Sequence, residues 1–236
     1  MTHFEGLPVD ESRKTNQLRS QSFKDRYLQG RVIDIGAGRD VVTPTAEAFD
    51  LEHGDANRIL QYREAGAYDA VHSSHCLEHM QDPPAALLQW WGLLRPGGHL
   101  IVVVPEESLY EQGYWPSPFN PDHKATFRLR TTATWSPVSH DIAQLCAALP
   151  GAELLEAELQ DQGYDHRLRP AVRRRSAAGE ALGRFMARVR GRVLRLGAPG
   201  QWLEPLVTGL CRLLGCPVDQ TLTGAVAQIQ VVVHKA

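Results

Sequence analysis

Cysteine, long apolar runs and net charge are all scarce in this chain. Four cysteines among 236 residues are too few for a disulfide framework, and Cys211 and Cys216 have no second pair to complete a zinc site. The most apolar run, LIVVVP, is far shorter than the roughly 20 residues that cross a bilayer. The first residues, MTHFEGLPVDESRK, lack the apolar core of a signal peptide. A cytoplasmic protein without a transmembrane segment is therefore expected.

The formal charge of −2 conceals two regions of opposite sign. The tract from Asp165 to Gly200 holds ten arginines and two acids, a net +8, so the rest of the chain carries −10. The arginines of this tract are Arg167, Arg169, Arg173, Arg174, Arg175, Arg184, Arg188, Arg190, Arg192 and Arg195. A near-neutral total argues against a strongly basic nucleic-acid binder, but it does not exclude a local anion-binding surface.

Apolar runs that alternate with helical patterns predict an α/β fold. VIDIG, YDAVHSS and HLIVVV are typical of buried parallel strands, and AELLEAELQ and the terminal AVAQIQVVV predict two more. Asp82 and Pro83 form a cap and first turn for a helix between two of these strands. We expect a Rossmann-like, doubly wound, mainly parallel seven-stranded sheet with an antiparallel terminal strand and a helical insertion.

The same patterns divide the chain into three parts. Residues 1–30 predict an N-terminal helical segment, with one polar helix over 10–30. Residues 31–160 and 218–236 predict the core, in which a long irregular segment over 105–138 is followed by a helix from Ser139 to Leu149. Residues 161–217 predict an arginine-rich helical insertion before the last strand, with a helix from Ala177 to Leu196.

A glycine-rich turn follows the first predicted strand, in VIDIGAGRD. Gly36 and Gly38 let the backbone turn sharply and approach a ligand at the carboxyl end of a parallel strand. Alone, this pattern also fits an ordinary tight turn between a strand and a helix, because the third glycine of the dinucleotide fingerprint is absent.

The segments downstream of this turn distinguish a ligand-binding turn from an ordinary tight turn. AFDLEHGDAN is followed by YDAVHSSHCLEHMQDPPAALLQWWGLLRPGGHLIVVVP over residues 68–105. Together with VIDIGAG, this order resembles class I S-adenosylmethionine-dependent methyltransferases, whose pattern is FDxVxSxxxLEH…DP…AL…LRPGGxL. The resemblance covers roughly residues 30–105. It implies S-adenosylmethionine as the cofactor and a Rossmann-like core.

The resemblance also implies roles for individual residues. Asp34, Gly36 and Gly38 would frame the methionine part of the cofactor. Asp50 would accept hydrogen bonds from the ribose hydroxyls, although its short distance from the glycine turn leaves Glu52 as an alternative. The remaining implied residues are Asp55 and Ala56 at the adenine, and Ser74 and His75 beside the bound cofactor.

A second motif overlaps the same residues. His75, Glu78 and His79 satisfy H-x-x-E-H, the inverted zinc-protease signature, whose histidines chelate from one face of a helix. Here the motif spans the end of a predicted strand, and no third ligand is evident. No metal site is therefore expected, and a zinc hydrolase is the weaker alternative.

The irregular segment supplies candidates for the chemistry. His123 is the first candidate for a general base, because the ordinary pKa of histidine suits proton abstraction at neutral pH. Asp122 would orient His123 or contact the substrate. His140, at an expected helix N-terminus, is the second candidate, and Asp165 with His166 form a third polar pair. A solvated, charged turn around His123 remains the simpler alternative.

These features predict a methyltransferase that acts on the oxygen of a sugar or another polar small molecule. The sugar follows from the YEQG…PSPFNPDHKATF segment, which is similar to small methyltransferases of saccharide and cell-envelope biosynthesis. The alternatives are an RNA or other N-methyltransferase that uses the basic insertion, and a cofactor-binding protein without chemistry. The basic helix would pack with a solvated face, contact an anionic membrane surface or phosphate, or form a homodimer contact; nucleic acid is disfavoured.

Overall fold

Six strands form the central sheet in the computed structural model, which describes residues 11–171 and 176–236. In chain order they are β1 (Val32–Ile35), β2 (Glu47–Phe49), β3 (Tyr68–Ser74), β4 (Leu94–Pro105), β7 (Ala152–Gln160) and β8 (Gln228–Lys235). Their spatial order is β2-β1-β3-β4-β8-β7, and β8 runs antiparallel to both of its neighbours. The short strands β5 (Thr126–Arg128) and β6 (Ser139–Asp141) pair separately.

The predicted α/β class, with its mostly parallel sheet and antiparallel terminal strand, is confirmed. The central sheet of the described residues has six strands rather than seven. Between β2 and β3 the chain instead forms two 3-10 helices, Leu51–His53 and Ala56–Gln61, which begin at the side-chain caps of Asp50 and Asp55. Those caps end the extended backbone immediately after β2.

The N-terminal segment forms two helices, α1 (Glu11–Leu18) and α2 (Gln21–Tyr27), so the prediction of one helix over residues 10–30 is wrong. The chain breaks at Ser20, whose hydroxyl accepts from the backbone N–H of Phe23 and caps α2. Helix α1 lies on the sheet: Lys14 donates to the carbonyls of Thr221 and Ala225, and Thr15 donates to Gln228 at the start of β8.

Two helices of the core begin at aspartate caps. Asp82 accepts from the N–H of Ala85 and caps α3 (Pro83–Gly92), as the sequence predicts. Asp141 caps α4 (Ile142–Ala147), which starts later than the predicted Ser139 because residues 139–141 form β6. Buried side chains of α3 such as Trp90 and Leu87 pack on the apolar strands and close one face of the sheet.

The arginine tract forms part of a helical pair between β7 and β8. Helix α5 (Ala177–Leu194) matches the predicted helix closely, and α6 (Ala198–Leu214) packs against it. Arg173, Arg174 and Arg175, like residues 1–10 of the N-terminal segment, lie outside the described residues. Among the helices that the structure describes, none is long and apolar enough to span a membrane.

Candidate functional site

A cavity of about 400 Å³ lies at the carboxyl ends of β1, β2 and β3; we call it the first cavity. Most of its lining residues come from the turns that follow those strands, and two come from the loop after β4. They are Gly36, Phe49, Asp50, Leu51, Gly54, Asp55, Ala56, Asn57, His75, Cys76, His79, Met80, Gln81, Asp122 and Lys124. Five of the eight residues expected at the cofactor from the sequence therefore line one cavity at the sheet edge where α/β proteins bind ligands.

The glycine turn after β1 forms one wall of this cavity. Gly36 has a φ of +76°, and a Cβ placed on it would lie 2.6 Å from the Cβ of Cys76. Only glycine fits both the backbone conformation and the close approach of Cys76. Gly38, with a φ of +55°, donates its N–H to Asp50 Oδ2 at 2.9 Å.

Asp34 lies beneath the turn rather than in the cavity. Its Oδ1 is 2.5 Å from His72 Nδ1 across the paired strands β1 and β3, and its Oδ2 accepts from the N–H of Val42 at 2.7 Å. Both oxygens are therefore engaged in the protein. Asp34 thus positions the loop that leads to Val42, and its expected role at the methionine part of a cofactor stays a prediction.

Asp50 and Asp55 face the first cavity at the ends of the 3-10 helices. Asp50 Oδ1 accepts from the N–H of Leu51 and Oδ2 from Gly38, while a second lone pair on each oxygen remains for a ligand. Asp55 is held by Asn57 through its backbone and side-chain amides, which lower the pKa of this carboxyl. Glu52, the alternative ribose ligand, is exposed and is not among the lining residues, so the geometry favours Asp50.

A smaller cavity of about 180 Å³ adjoins the first one and is called the second cavity. Its walls come from α1, the end of β3 and the loop after β4. They comprise Glu11, Ser12, Gly36, Ser74, His75, Glu78, His79, Tyr110, Asn120 and His123. Gly36, His75 and His79 line both cavities, so the two spaces share one wall.

Ser74 and His75 end β3 at this shared wall. The Ser74 hydroxyl is buried and has no hydrogen-bond partner among the described residues. His75 has a φ of +55°, in the left-handed region, and its Nε2 lies 2.9 Å from Gln228 Oε1. Burial opposes the charge on His75, but the hydrogen bond and charge of Glu78, 3.5 Å away, outweigh it and raise the pKa of His75 to about 9.

The H-x-x-E-H motif does not form the helical chelate of a zinc protease. Leu77–His79 is a single 3-10 turn after the strand, and His75 points toward Gln228 and Glu78. His79 instead lies beside His123, with ring centroids 5.0 Å apart. The two histidines of the motif thus have different neighbours, which argues against the hydrolase alternative.

His123 is almost fully buried and does not lie on a solvated turn. Its Nδ1 is 2.8 Å from Oε1 of Glu111, which is completely buried, and Tyr110 stacks on its ring at 5.2 Å between centroids. Burial lowers the pKa of His123 and raises the pKa of Glu111 well above its usual value, so the neutral form of each group is favoured. The sequence analysis expected Asp122 to orient His123, but Asp122 contacts His79 instead. Its Oδ2 is 2.9 Å from His79 Nδ1, and Lys124 pairs with its other oxygen.

The other two histidine candidates lie elsewhere. His140 is the middle residue of β6, directly before Asp141, the N-cap of α4, and packs against Phe127; burial and then the charge of Arg128 lower its pKa, the direction expected from the sequence. It lines neither the first nor the second cavity. His166 pairs with Asp161 at 2.8 Å, whereas Asp165 pairs with Arg167, so the expected Asp165–His166 pair does not form.

Comparison with known proteins identifies the family. A family model described as a methyltransferase domain matches residues 11–166, which is more than half of the chain. The chain belongs to this methyltransferase family. Its cofactor is S-adenosylmethionine, as the sequence motifs imply.

Individual relatives are more distant. An uncharacterised 37.1 kDa protein of a Streptomyces fradiae transposon is 32% identical over 83 residues, which is 33% of this chain and 24% of that protein's length. A solved S-adenosylmethionine-dependent methyltransferase from Archaeoglobus fulgidus is 15% identical, with 89% of both chains covered and a TM-score of 0.43. Phosphoethanolamine N-methyltransferase 2 from Haemonchus contortus is 13% identical, with 94% of this chain and 52% of that chain covered and a TM-score of 0.46.

The first cavity of this methyltransferase domain fits its cofactor. The Gly36 backbone and the Cys76 side chain packed against it line this cavity, and the Asp50 carboxylate offers acceptors suited to two hydroxyls. The cavity volume lies within the usual range for small-molecule sites, about 300 to 1,000 Å³. Asp50, Asp55 and Ala56 would hold the nucleoside end, and the backbone at Gly36 with His75 would border the methionine end.

Sequence reasoning missed several residues of the methyltransferase site. Glu78 belongs to the LEH motif but was considered only as part of a zinc signature. Glu111 lies twelve residues before His123 in an aperiodic loop, so no pattern connects the two. Gln228, at the start of β8, reaches His75 only because the terminal strand inserts next to β4.

Proposed function

We propose that this methyltransferase transfers the methyl group of S-adenosylmethionine to an oxygen of a polar small molecule, with a sugar hydroxyl as the leading acceptor. The observation that carries the proposal is the position of His123. This buried imidazole lines the second cavity, which shares the wall of Gly36, His75 and His79 with the first cavity. An acceptor in the second cavity is thereby next to the bound cofactor.

The chemistry needs a hydroxyl oriented toward an activated methyl group and a group that takes up the hydroxyl proton. S-adenosylmethionine supplies the methyl group on a positively charged sulfur. His123 is the proposed base, because burial keeps its imidazole neutral and Glu111 fixes the ring orientation. Asp122 has an indirect role in this proposal, because it holds the ring of His79 at the shared wall of the two cavities.

The surroundings of His123 suit a ring bearing hydroxyl groups. Tyr110 and Phe119 form an edge-to-face pair beside the histidine, and such aromatic surfaces pack well on the apolar faces of sugars. Asn120 and the unpaired Ser74 hydroxyl offer donors and acceptors on the polar sides of the same cavity. The combination favours a sugar over a purely apolar acceptor.

A basic groove next to the second cavity favours an acceptor that carries phosphate. Arg188, Arg192 and Arg195 of α5 line a space of about 320 Å³ together with Phe119, which also contacts Tyr110. Arginine side chains bind phosphate through charge-assisted hydrogen bonds. A nucleotide-linked or phosphorylated sugar would place its sugar in the second cavity and its phosphate in the basic groove. Methylation of RNA is the second candidate function.

The test begins with calorimetric titration of S-adenosylhomocysteine, for which we expect micromolar binding. Methyl transfer is then measured from labelled cofactor to free sugars, nucleotide sugars and RNA. We expect His123→Asn to reduce turnover by about 100-fold or more with cofactor binding retained, since a general base contributes roughly 10²- to 10⁴-fold. His166→Asn, on the surface, is the matched control.

Several results would contradict the proposal. Absence of cofactor binding would remove its basis. If His123→Asn keeps full turnover and His140→Asn loses it, His140 rather than His123 is the general base. Transfer to RNA alone, with affinity falling steeply as salt rises, would replace the sugar with a nucleic acid.

A further inference from the structure

Three potential metal ligands converge where the two cavities meet. Glu78, His79 and His123 each offer one ligand atom, and these atoms lie within 4.8 Å of one another. Two come from the 3-10 turn after β3 and one from the loop after β4, so the fold itself brings them together. We propose that these three side chains bind a divalent transition-metal cation.

The histidines are already oriented as metal ligands usually are. His79 Nδ1 lies 2.9 Å from Asp122 Oδ2, and His123 Nδ1 lies 2.8 Å from Glu111 Oε1. A metal-bound histidine almost always gives its other ring nitrogen to a carboxylate, a carbonyl or water. A carboxyl oxygen of Asp122 or of Glu111 thus fixes each ring through Nδ1, which leaves Nε2 of each ring for a cation.

Glu78 supplies a separate observation. Its side chain is 1% exposed, and its Oε2 is buried without a hydrogen-bond partner among the described residues. His75 faces only the other oxygen, Oε1. Leaving a carboxylate oxygen buried and unpaired is costly, so an additional cationic partner would stabilise it. That partner would lie in the second cavity, next to His79 and His123.

The ligand types limit the choice of cation. Two imidazoles with one carboxylate suit Mn²⁺, Fe²⁺, Co²⁺ or Zn²⁺, whereas Mg²⁺ and Ca²⁺ prefer oxygen ligands alone. Three protein ligands leave coordination positions open on the side of the second cavity. The same arrangement of two histidines and one carboxylate leaves sites for substrate in catalytic metal centres generally.

The position of the site gives the cation a role in activating the acceptor, an inference that rests on the proposed function. A hydroxyl bound to the cation loses its proton to solvent more readily, because the cation stabilises the resulting oxyanion. The oxygen then forms its bond to the methyl carbon as the carbon–sulfur bond breaks, and that electron pair remains on sulfur. In the metal-loaded protein Nε2 of His123 is a ligand and solvent takes the proton, so His123 acts as the base only in the metal-free protein.

The direct test measures cation binding without cofactor or acceptor. Full-length protein is freed of metal with a chelator and titrated by calorimetry with Mn²⁺ and with Zn²⁺, and Co²⁺ absorption reports nitrogen ligands. We expect one cation per chain. Glu78→Gln and His123→Ala should weaken binding by more than about 100-fold, and Asp122→Asn by about tenfold, the lower end of the range for residues that orient ligands. His166→Ala should bind like the wild type.

Asp122 is largely exposed, so Asp122→Asn remains informative if a buried variant fails to fold. Circular dichroism and binding of S-adenosylhomocysteine verify the fold of every variant. No saturable binding to the wild type, or equal binding to Glu78→Gln, overturns the proposal. Methyl transfer to a sugar that persists in chelator leaves the proposed function standing and overturns the role of the cation. Stoichiometric binding with no sugar methylated supports the metal site and contradicts only the proposed acceptor.

Discussion

The backbone N–H of Gly38 donates to Asp50 Oδ2 at 2.9 Å, which connects the turn after β1 to the end of β2. Asp50 lines the first cavity, and Gly38 lies two residues beyond Gly36, which lines it from the neighbouring strand. Asp50 thus orders the glycine turn and presents its remaining lone pairs to the cavity. Glu52, two residues later, is exposed and provides a comparison of equal charge.

Replacement of Asp50 by alanine should weaken binding of S-adenosylhomocysteine by about tenfold or more. The variant loses charge-assisted acceptors for ribose hydroxyls, and hydrogen bonds to charged groups contribute roughly 1.5 to 3 kcal/mol. Calorimetric titration gives the dissociation constant. Glu52→Ala is the matched control and should bind nearly normally; equal losses in both variants would return Glu52 to consideration.

Substitution of Gly36 by alanine should impair both stability and cofactor binding. The new methyl group would meet Cys76 at 2.6 Å, in addition to the strain of a positive φ. Gly97 has a φ of +81° with nothing within 4 Å of a built Cβ, so Gly97→Ala should cost only about 1 to 2 kcal/mol. Thermal unfolding with and without S-adenosylhomocysteine separates the two effects. A Gly36→Ala protein that is stabilised by ligand as strongly as Gly97→Ala would refute the close-approach argument.

Glu106 should make the protein less stable as pH rises through the neutral range. Burial raises the pKa of Glu106 to about 7, although the N–H groups of Ser108 and Leu109 oppose this shift. Between its ordinary pKa and about 7 the folded state holds a proton that the unfolded state releases, so stability decreases with increasing pH in that window. The total change in the free energy of unfolding is about 3 kcal/mol.

Glu106→Gln removes this titration while keeping an oxygen acceptor. Urea unfolding at pH 5 and at pH 8 should therefore show that the variant gains stability relative to the wild type at the higher pH. A difference between the two proteins that stays constant with pH would exclude Glu106 as the titrating group.

Arg190 should hold the insertion over residues 161–217 together as a unit. This buried guanidinium donates to Glu204, Thr208 and the carbonyl of Asp219. Arg190→Met should destabilise α5 and α6 by about 3 kcal/mol or more, because it leaves Glu204 without its cation. Exposed Arg188→Met should change stability by no more than about 0.5 kcal/mol.

Hydrogen exchange resolves where the loss occurs. We expect faster exchange in α5 and α6 of Arg190→Met while binding of S-adenosylhomocysteine is retained. If α3 and β1 lose protection to the same extent, the insertion does not open separately from the core.

The sequence predicted the central sheet well because fully buried strands such as residues 100–104 are continuous apolar runs. Strands β5 and β6 have three residues each, too few for any period to be visible. The break between α1 and α2 had a readable signal in Ser20, but the polar composition on both sides favoured one helix.

The position of the first cavity was predictable from local motifs. Gly36, Asp50, Asp55 and Ala56 lie beyond the ends of neighbouring strands, so their common location results from parallel topology. The roles of Asp34 and His123 depend on partners from other segments. The strand register sets His72 opposite Asp34, and the loop path sets Glu111 against His123; neither is encoded by spacing.

His75 and His79 line both cavities, and this common wall has a thermodynamic consequence. A ligand in one cavity that shifts either ring changes the shape presented to a ligand in the other. Linkage then requires reciprocity: the factor by which the cofactor alters affinity for the acceptor equals the factor by which the acceptor alters affinity for the cofactor.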